Sequence, residues 1–180
     1  MIFAAPRHLN ELESIPWSNG GGSTTEVATD ATPWNWRLSV ADIRVEGPFS
    51  NFQGVRREFT VLDAPVILAF DEREVEARRL EVVRFDGGTP PHCRLPENPT
   101  RAVNLMLRGD TEGMLVARPL AGSMMLPGGF GWIVLCITGQ ATVQRGADIF
   151  SLEAGMFMQL ASEGERALLE GAGEVVLARL

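Results

Sequence analysis

The sequence predicts an all-β protein. Apolar and polar residues alternate over short runs, and Gly, Pro, Asn and Asp cut these runs roughly every 8–12 residues. No long segment repeats apolar residues at the i, i+3, i+4 spacing of a helix. Without βαβ alternation there is no basis for a parallel nucleotide-binding sheet.

The runs can be taken in order. Trp34, Trp36, Leu38 and Val40 alternate with Asn35, Arg37 and Ser39. Phe59–Leu62 stops at Asp63-Ala64-Pro65, and Val66–Phe70 follows. Residues 74–85 alternate less cleanly. Val103, Leu105 and Leu107 alternate with Asn104, Met106 and Arg108, and Met114–Ala117 is short. Trp132–Ile137 reads as a strand, Thr138-Gly139-Gln140 as a turn and Ala141–Gln144 as the return. Ile149–Leu152, Met156–Leu160, Ala167–Leu169 and Val175–Leu180 complete the series. Such spacing indicates a sandwich or barrel. The proline-rich stretch 89–99 is the expected connection between halves, since proline cannot donate to a sheet ladder. Residues 1–180 are therefore expected to form one unit with halves at about 1–98 and 99–180.

The chain carries a net charge of -7, and all 16 of its cationic side chains are arginine. An acidic surface repels phosphate backbones, so no nucleic-acid partner is expected. The lack of lysine excludes Schiff-base chemistry and a P-loop. No apolar run approaches the ~20 residues of a membrane span. Met1–Arg7 has no basic region ahead of an apolar stretch, so no leader or membrane partner is expected and the compartment is taken as cytoplasmic. Cys93 and Cys136 are expected to be reduced and buried. His8 and His92 lack metal-ligand spacing, so neither metal nor other cofactor is expected.

Several segments could carry chemistry. In Pro16–Glu26, Gly20, Gly21 and Gly22 could turn backbone N–H groups toward an anion, beside Asn19, Thr24 and Glu26. The same glycines could equally form a plain hairpin loop. Gly47–Arg57 combines Phe49 and Phe52 with Arg57, as a pocket edge or as an aromatic plug. Arg37 and Ser39 share a strand face, and the pattern alone points Arg37 to solvent. Phe85-Asp86-Gly87-Gly88 reads as a turn. Asn104 interrupts an apolar strand and needs a partner.

Taken together these segments resemble the HutD/Ves family. The shared pattern is Pro-Trp-x-Asn-Gly-Gly-Gly-x-Thr-x-Glu (Pro16–Glu26), Trp-Arg-x-Ser (Trp36–Ser39), Gly-Pro-Phe-Ser-x-Phe-x-Gly-x-x-Arg (Gly47–Arg57), Phe-Asp-Gly (Phe85–Gly87) and Asn-x-Met (Asn104–Met106). The resemblance implies a double-barrel bicupin of the RmlC-like jelly-roll type without the usual cupin metal, paired as a homodimer. It also implies a link to histidine utilisation or, in the Ves branch, to stress. The expected activity is binding of a small carboxylate such as formylglutamate or urocanate. Arg57 and Arg37 would meet the anion, with Asn19, Gly20–Gly22, Thr24, Glu26, Ser39, Phe52 and Asn104 around it. The alternatives are a metal-independent hydrolase or isomerase with Glu26 as general base, and an interaction protein with no small ligand.

Overall fold

The computed structural model describes residues 5–163 and 165–180. Most of the segment read for a leader, Met1–Ala4, lies outside them. In chain order the strands are β1 (Arg7–His8), β2 (Ser14–Pro16), β3 (Gly22–Thr29), β4 (Trp36–Ile43), β5 (Gly47–Pro48), β6 (Val55–Val61), β7 (Val66–Ala69) and β8 (Glu74–Ala77). They continue as β9 (Val83–Asp86), β10 (His92–Arg94), β11 (Thr100–Arg108), β12 (Met114–Leu126), β13 (Trp132–Arg145), β14 (Asp148–Glu153), β15 (Met156–Leu160) and β16 (Ala167–Arg179). A single 3-10 turn at Leu9–Glu11 is the only helical element among the described residues. No helix among them is long and apolar enough to cross a membrane. The all-β expectation holds.

The chain divides into two compact units. One is Leu12–Glu112; the other joins the N-terminal residues through Glu11 to Gly113–Leu180. The first unit contains a six-stranded sheet in the order β2-β3-β4-β11-β6-β9 and a four-stranded sheet in the order β5-β10-β7-β8. Its core draws side chains from both sheets, including Ile43, Phe59, Val61, Leu68, Phe85 and Cys93. Burying each of the larger ones contributes about 1.5–3 kcal/mol. The second unit is one sheet, β1-β15-β13-β16-β12 with β14 on β13, around an apolar core that includes Leu126, Trp132, Val143, Met158 and Leu177. Among the described residues all three strand paths have free ends, so none closes through its own hydrogen bonds.

Two expectations about chain division change. The proline-rich stretch does not lead from one half to the other. Its centre is β10, which pairs with both β5 and β7 and buries Cys93 in the core of the first unit. β11 pairs with β4 and β6 in that same unit, so the division falls at Glu112/Gly113 rather than near residue 98.

The expected hairpin at Thr138-Gly139-Gln140 is not a reversal. β13 runs through it as one strand, keeping β16 as its partner on both sides and shifting register between Cys136 and Thr138. Gly139 takes φ +74, and a Cβ there would lie 2.0 Å from the Ala172 carbonyl oxygen. The glycine bends a long strand against its neighbour, as at a bulge, where the sequence pattern reads as a turn.

Candidate functional site

The register of the six-stranded sheet brings the polar side chains together. Asn104 on β11 stands opposite Ser39 on β4 and Phe59 on β6. Two residues on, Met106 stands opposite Arg37 and Arg57. Because side chains alternate with period two, these residues share one face. They floor a cavity of about 290 Å³ in the first unit. Its rim comes from Trp17–Asn19, Pro48–Ser50 and Phe52.

Arg57 is the more deeply buried of the two arginines on the cavity wall, with 7% of its surface exposed. Its Nε donates to Asn104 Oδ1 at 3.3 Å. Its Nη1 is buried and has no hydrogen-bond partner among the described residues. The guanidinium carbon lies 5.0 Å from the Phe49 ring centroid, 5.1 Å from Phe85 and 6.0 Å from Phe52, within cation–π range. Burial, and then the positive charge of Arg37, push its pKa down to about 10. A cation held this way is paired with aromatic faces and one amide, and with no carboxylate.

Arg37 also lines the cavity, which corrects the solvent-facing reading: its side chain is 23% exposed. Its Nε is 3.4 Å from Glu26 Oε2, yet it is buried and misaligned for a hydrogen bond. Among the described residues no Asp, Glu, His or Cys lines the cavity. In a chain of net charge -7, this wall is cationic.

The flanking motifs hold the wall in place. Trp17 Nε1 donates to Thr24 Oγ1 at 2.7 Å. Asn19 Oδ1 accepts the Gly21 N–H at 2.9 Å, and the Gly20 N–H bonds the Trp17 carbonyl oxygen. The Phe-Asp-Gly turn clamps the Phe52–Val55 loop: the Phe52 N–H donates to the Gly87 carbonyl oxygen and the Gly87 N–H to that of Val55, each at 2.7 Å. A Cβ on Gly87 would meet two carbonyl oxygens at 2.8 Å.

Seven of the eleven candidates line the cavity: Asn19, Thr24, Arg37, Ser39, Phe52, Arg57 and Asn104. Gly20, Gly21 and Gly22 do not. The N–H groups of Gly20 and Gly21 are used inside the turn, and Gly22 is a packing glycine whose Cβ would sit 2.0 Å from the Asp42 carbonyl oxygen. The glycine run shapes the rim instead of cradling an anion. Glu26 is 48% exposed and off the wall, so the sheltered general base is not found there. Trp17 and Met106 also line the cavity, although nothing in their local pattern marks them as binding residues, and so does Phe49 from the expected pocket edge or plug. Phe49 packs on the core residue Phe59 at 5.5 Å and on Arg57, so plug and pocket wall are the same ring.

Cupin folds commonly carry a metal held by histidine and carboxylate. Among the described residues no group of three or more His, Cys, Asp or Glu could hold one, and the cavity wall offers nitrogen and hydroxyl donors instead. Such a metal does not fit this cavity.

The comparisons agree on family and fold. A curated relative, an uncharacterised 21.2 kDa protein in the hutC 3′ region of Pseudomonas putida, is 35% identical over 98 residues, or 51% of this chain and 52% of that protein. The match thus spans about half that relative's length. The crystal structure of a conserved protein of unknown function from Pseudomonas aeruginosa PAO1 superposes with a TM-score of 0.88 at 22% identity, covering 98% of this chain and 96% of the other. HutD from Pseudomonas fluorescens SBW25, solved in a formate condition, gives 0.83 at 24% identity, covering 98% and 97%. A mutant of oxalate decarboxylase from Bacillus subtilis gives 0.69 at 8% identity, covering 99% and 77%, a likeness of fold to a cupin-like protein. A family model described as HutD matches residues 9–177, and the chain belongs to the HutD family.

Proposed function

We propose that this chain is a metal-independent binding protein for a small carboxylate metabolite, built on a bicupin plan and tied to histidine utilisation. The observation that carries the reading is Arg57, a nearly buried cation with an unpartnered Nη1 in a cavity without a carboxylate. A buried charge left unpaired costs several kcal/mol unless an anion completes it. A planar carboxylate suits the forked guanidinium, and Arg37 and Asn104 stand on the same face to hold its second oxygen. Formate is the smallest carboxylate, and the P. fluorescens HutD structure was solved in a formate condition. The location of the P. putida relative beside hutC supports a formylglutamate- or urocanate-like ligand.

A thermal-shift screen against histidine, urocanate, formylglutamate, glutamate, formate and divalent metals tests this. A ligand at a hundred times its Kd adds about 2.7 kcal/mol to stability. The expected result is a raised Tm with an organic acid that disappears in Arg57→Ala. A response to metal alone would overturn the reading.

A further inference from the structure

The polar groups of the cavity wall show a consistent bias between donors and acceptors. Asn104 Oδ1 takes the Arg57 Nε–H, and a guanidinium only donates, so the Asn104 amide orientation is forced and its NH2 remains. Asn19 Oδ1 takes the Gly21 N–H, a backbone donor, which again leaves the NH2. Thr24 Oγ1 accepts the Trp17 indole N–H, so its own proton must point elsewhere. Arg37 and Arg57 can only donate. Three separate parts of the protein thus each take an acceptor position on Asn104, Asn19 and Thr24; the hydroxyls of Ser18, Ser39 and Ser50 can donate or accept but carry no charge, and among the described residues no carboxylate lines the cavity.

We infer that the site selects against a free ammonium group: it accepts carboxylates whose nitrogen is absent, acylated or otherwise uncharged, and rejects the corresponding α-amino acids. This rests on the anion-binding reading of the same cavity. An ammonium entering with its carboxylate would meet two guanidiniums, of which only Arg37 has a carboxylate beside it, Glu26 at 3.4 Å and off the wall, and no wholly free carbonyl acceptor among these side chains. Like-charge juxtaposition in a sheltered site works as a strong filter. A neutral hydroxyl in the same place suffers no such penalty.

Calorimetric titration of the full chain with matched acids tests the filter: N-acetylglutamate against glutamate, urocanate against histidine, and glutarate against 2-hydroxyglutarate, with formate as reference. The expected result is that in at least one of the first two pairs the uncharged-nitrogen member binds, and that its amino-acid partner binds at least about tenfold more weakly. Glutarate and 2-hydroxyglutarate should stay within about threefold of each other. An amino acid binding within about threefold of its partner would overturn the inference. Formate binding with both of those pairs silent would overturn it while leaving the anion site standing. Silence from every probe, formate included, would remove both. Asn104→Asp places a carboxylate on the wall: if its Tm stays near wild type, the preference should shrink to within about threefold, and an undiminished preference would contradict the charge argument.

Discussion

Asn104 accepts the Arg57 Nε–H across the β6–β11 ladder at 3.3 Å, and this bond leaves Arg57 Nη1 buried without a partner. The pair is offset rather than directly opposed: Asn104 faces Phe59, and Arg57 faces Met106. One neutral amide thus steadies the guanidinium without neutralising it, so the charge remains for a ligand.

The first prediction concerns stability against function. Arg57→Met removes a buried, uncompensated cation and fills the space between three phenyl rings. Replacing buried charge with apolar volume is often neutral or stabilising by ~1–4 kcal/mol, while the stranded Asn104 carbonyl takes back ~1–3 kcal/mol. The ligand-free variant should melt at or slightly above wild type, yet show no Tm rise with any carboxylate. Loss of more than about 3 kcal/mol in a denaturant titration would show that Arg57 is mainly structural.

The second follows from the lowered pKa of Arg57, about 10. This is a base whose folded value lies below its unfolded one. Above pH 10 the folded state releases its proton first, so the contribution of Arg57 to ligand-free stability rises with pH until the unfolded value is passed. Affinity moves the opposite way, because the anion needs the cation. Calorimetry should find carboxylate affinity flat from about pH 7 to 9 and roughly tenfold weaker by about pH 11. Affinity unchanged to about pH 11 would place the anion elsewhere.

A third prediction separates the glycines from the ligand. Gly22→Ala drives a Cβ into the Asp42 carbonyl oxygen and against the Trp17 ring, so it should lose more than about 2 kcal/mol. Gly20 has open space but φ +71, so Gly20→Ala should lose about 1 kcal/mol. Among variants that fold, affinity should be sensitive to Asn19→Ala and insensitive to Gly20→Ala.

The fourth concerns acid. Arg101 holds Asp63 with Nε and Nη2, both at 2.9 Å, and with its backbone N–H at 3.0 Å. The side-chain hydrogen bonds from Arg101 lower the Asp63 pKa below the ordinary aspartate value. A lowered acid contributes stability above its unfolded pKa and loses it as pH falls through the folded one. Both side chains are nearly half exposed, so solvent screening limits the pair to less than about 1 kcal/mol. Asp63→Asn should lose up to that amount at pH 7, and in urea titrations the difference should shrink as pH falls below the ordinary aspartate range and through the lowered folded value.

Much of the fold is legible in the sequence because short alternating runs admit few alternatives to strands. Gly139 escapes that reading because a bulge inside a long strand and a hairpin turn use the same residue types. Arg37 is misplaced by local pattern for a related reason: alternation fixes which residues share a face, not what covers it. The strand Trp36–Ile43 has a cavity on the face that pattern assigns to solvent. Met106 shares the face of Asn104 and Arg108 in the alternation, yet it is buried; only its register between two arginines makes it part of the floor. Arg57 stands out through its motif, which also carries Phe49 and Phe52, whereas Phe85 comes from a separate segment that only the β6–β9 pairing brings alongside.

The central claim is that Arg57 meets a carboxylate, and its own Nε–H reports on this most directly. In protein labelled with ¹⁵N-arginine, titration with formate, formylglutamate and urocanate should shift one Nε resonance saturably, and that resonance should be absent from Arg57→Ala. Saturable binding that leaves the Arg57 resonance in place would contradict the account.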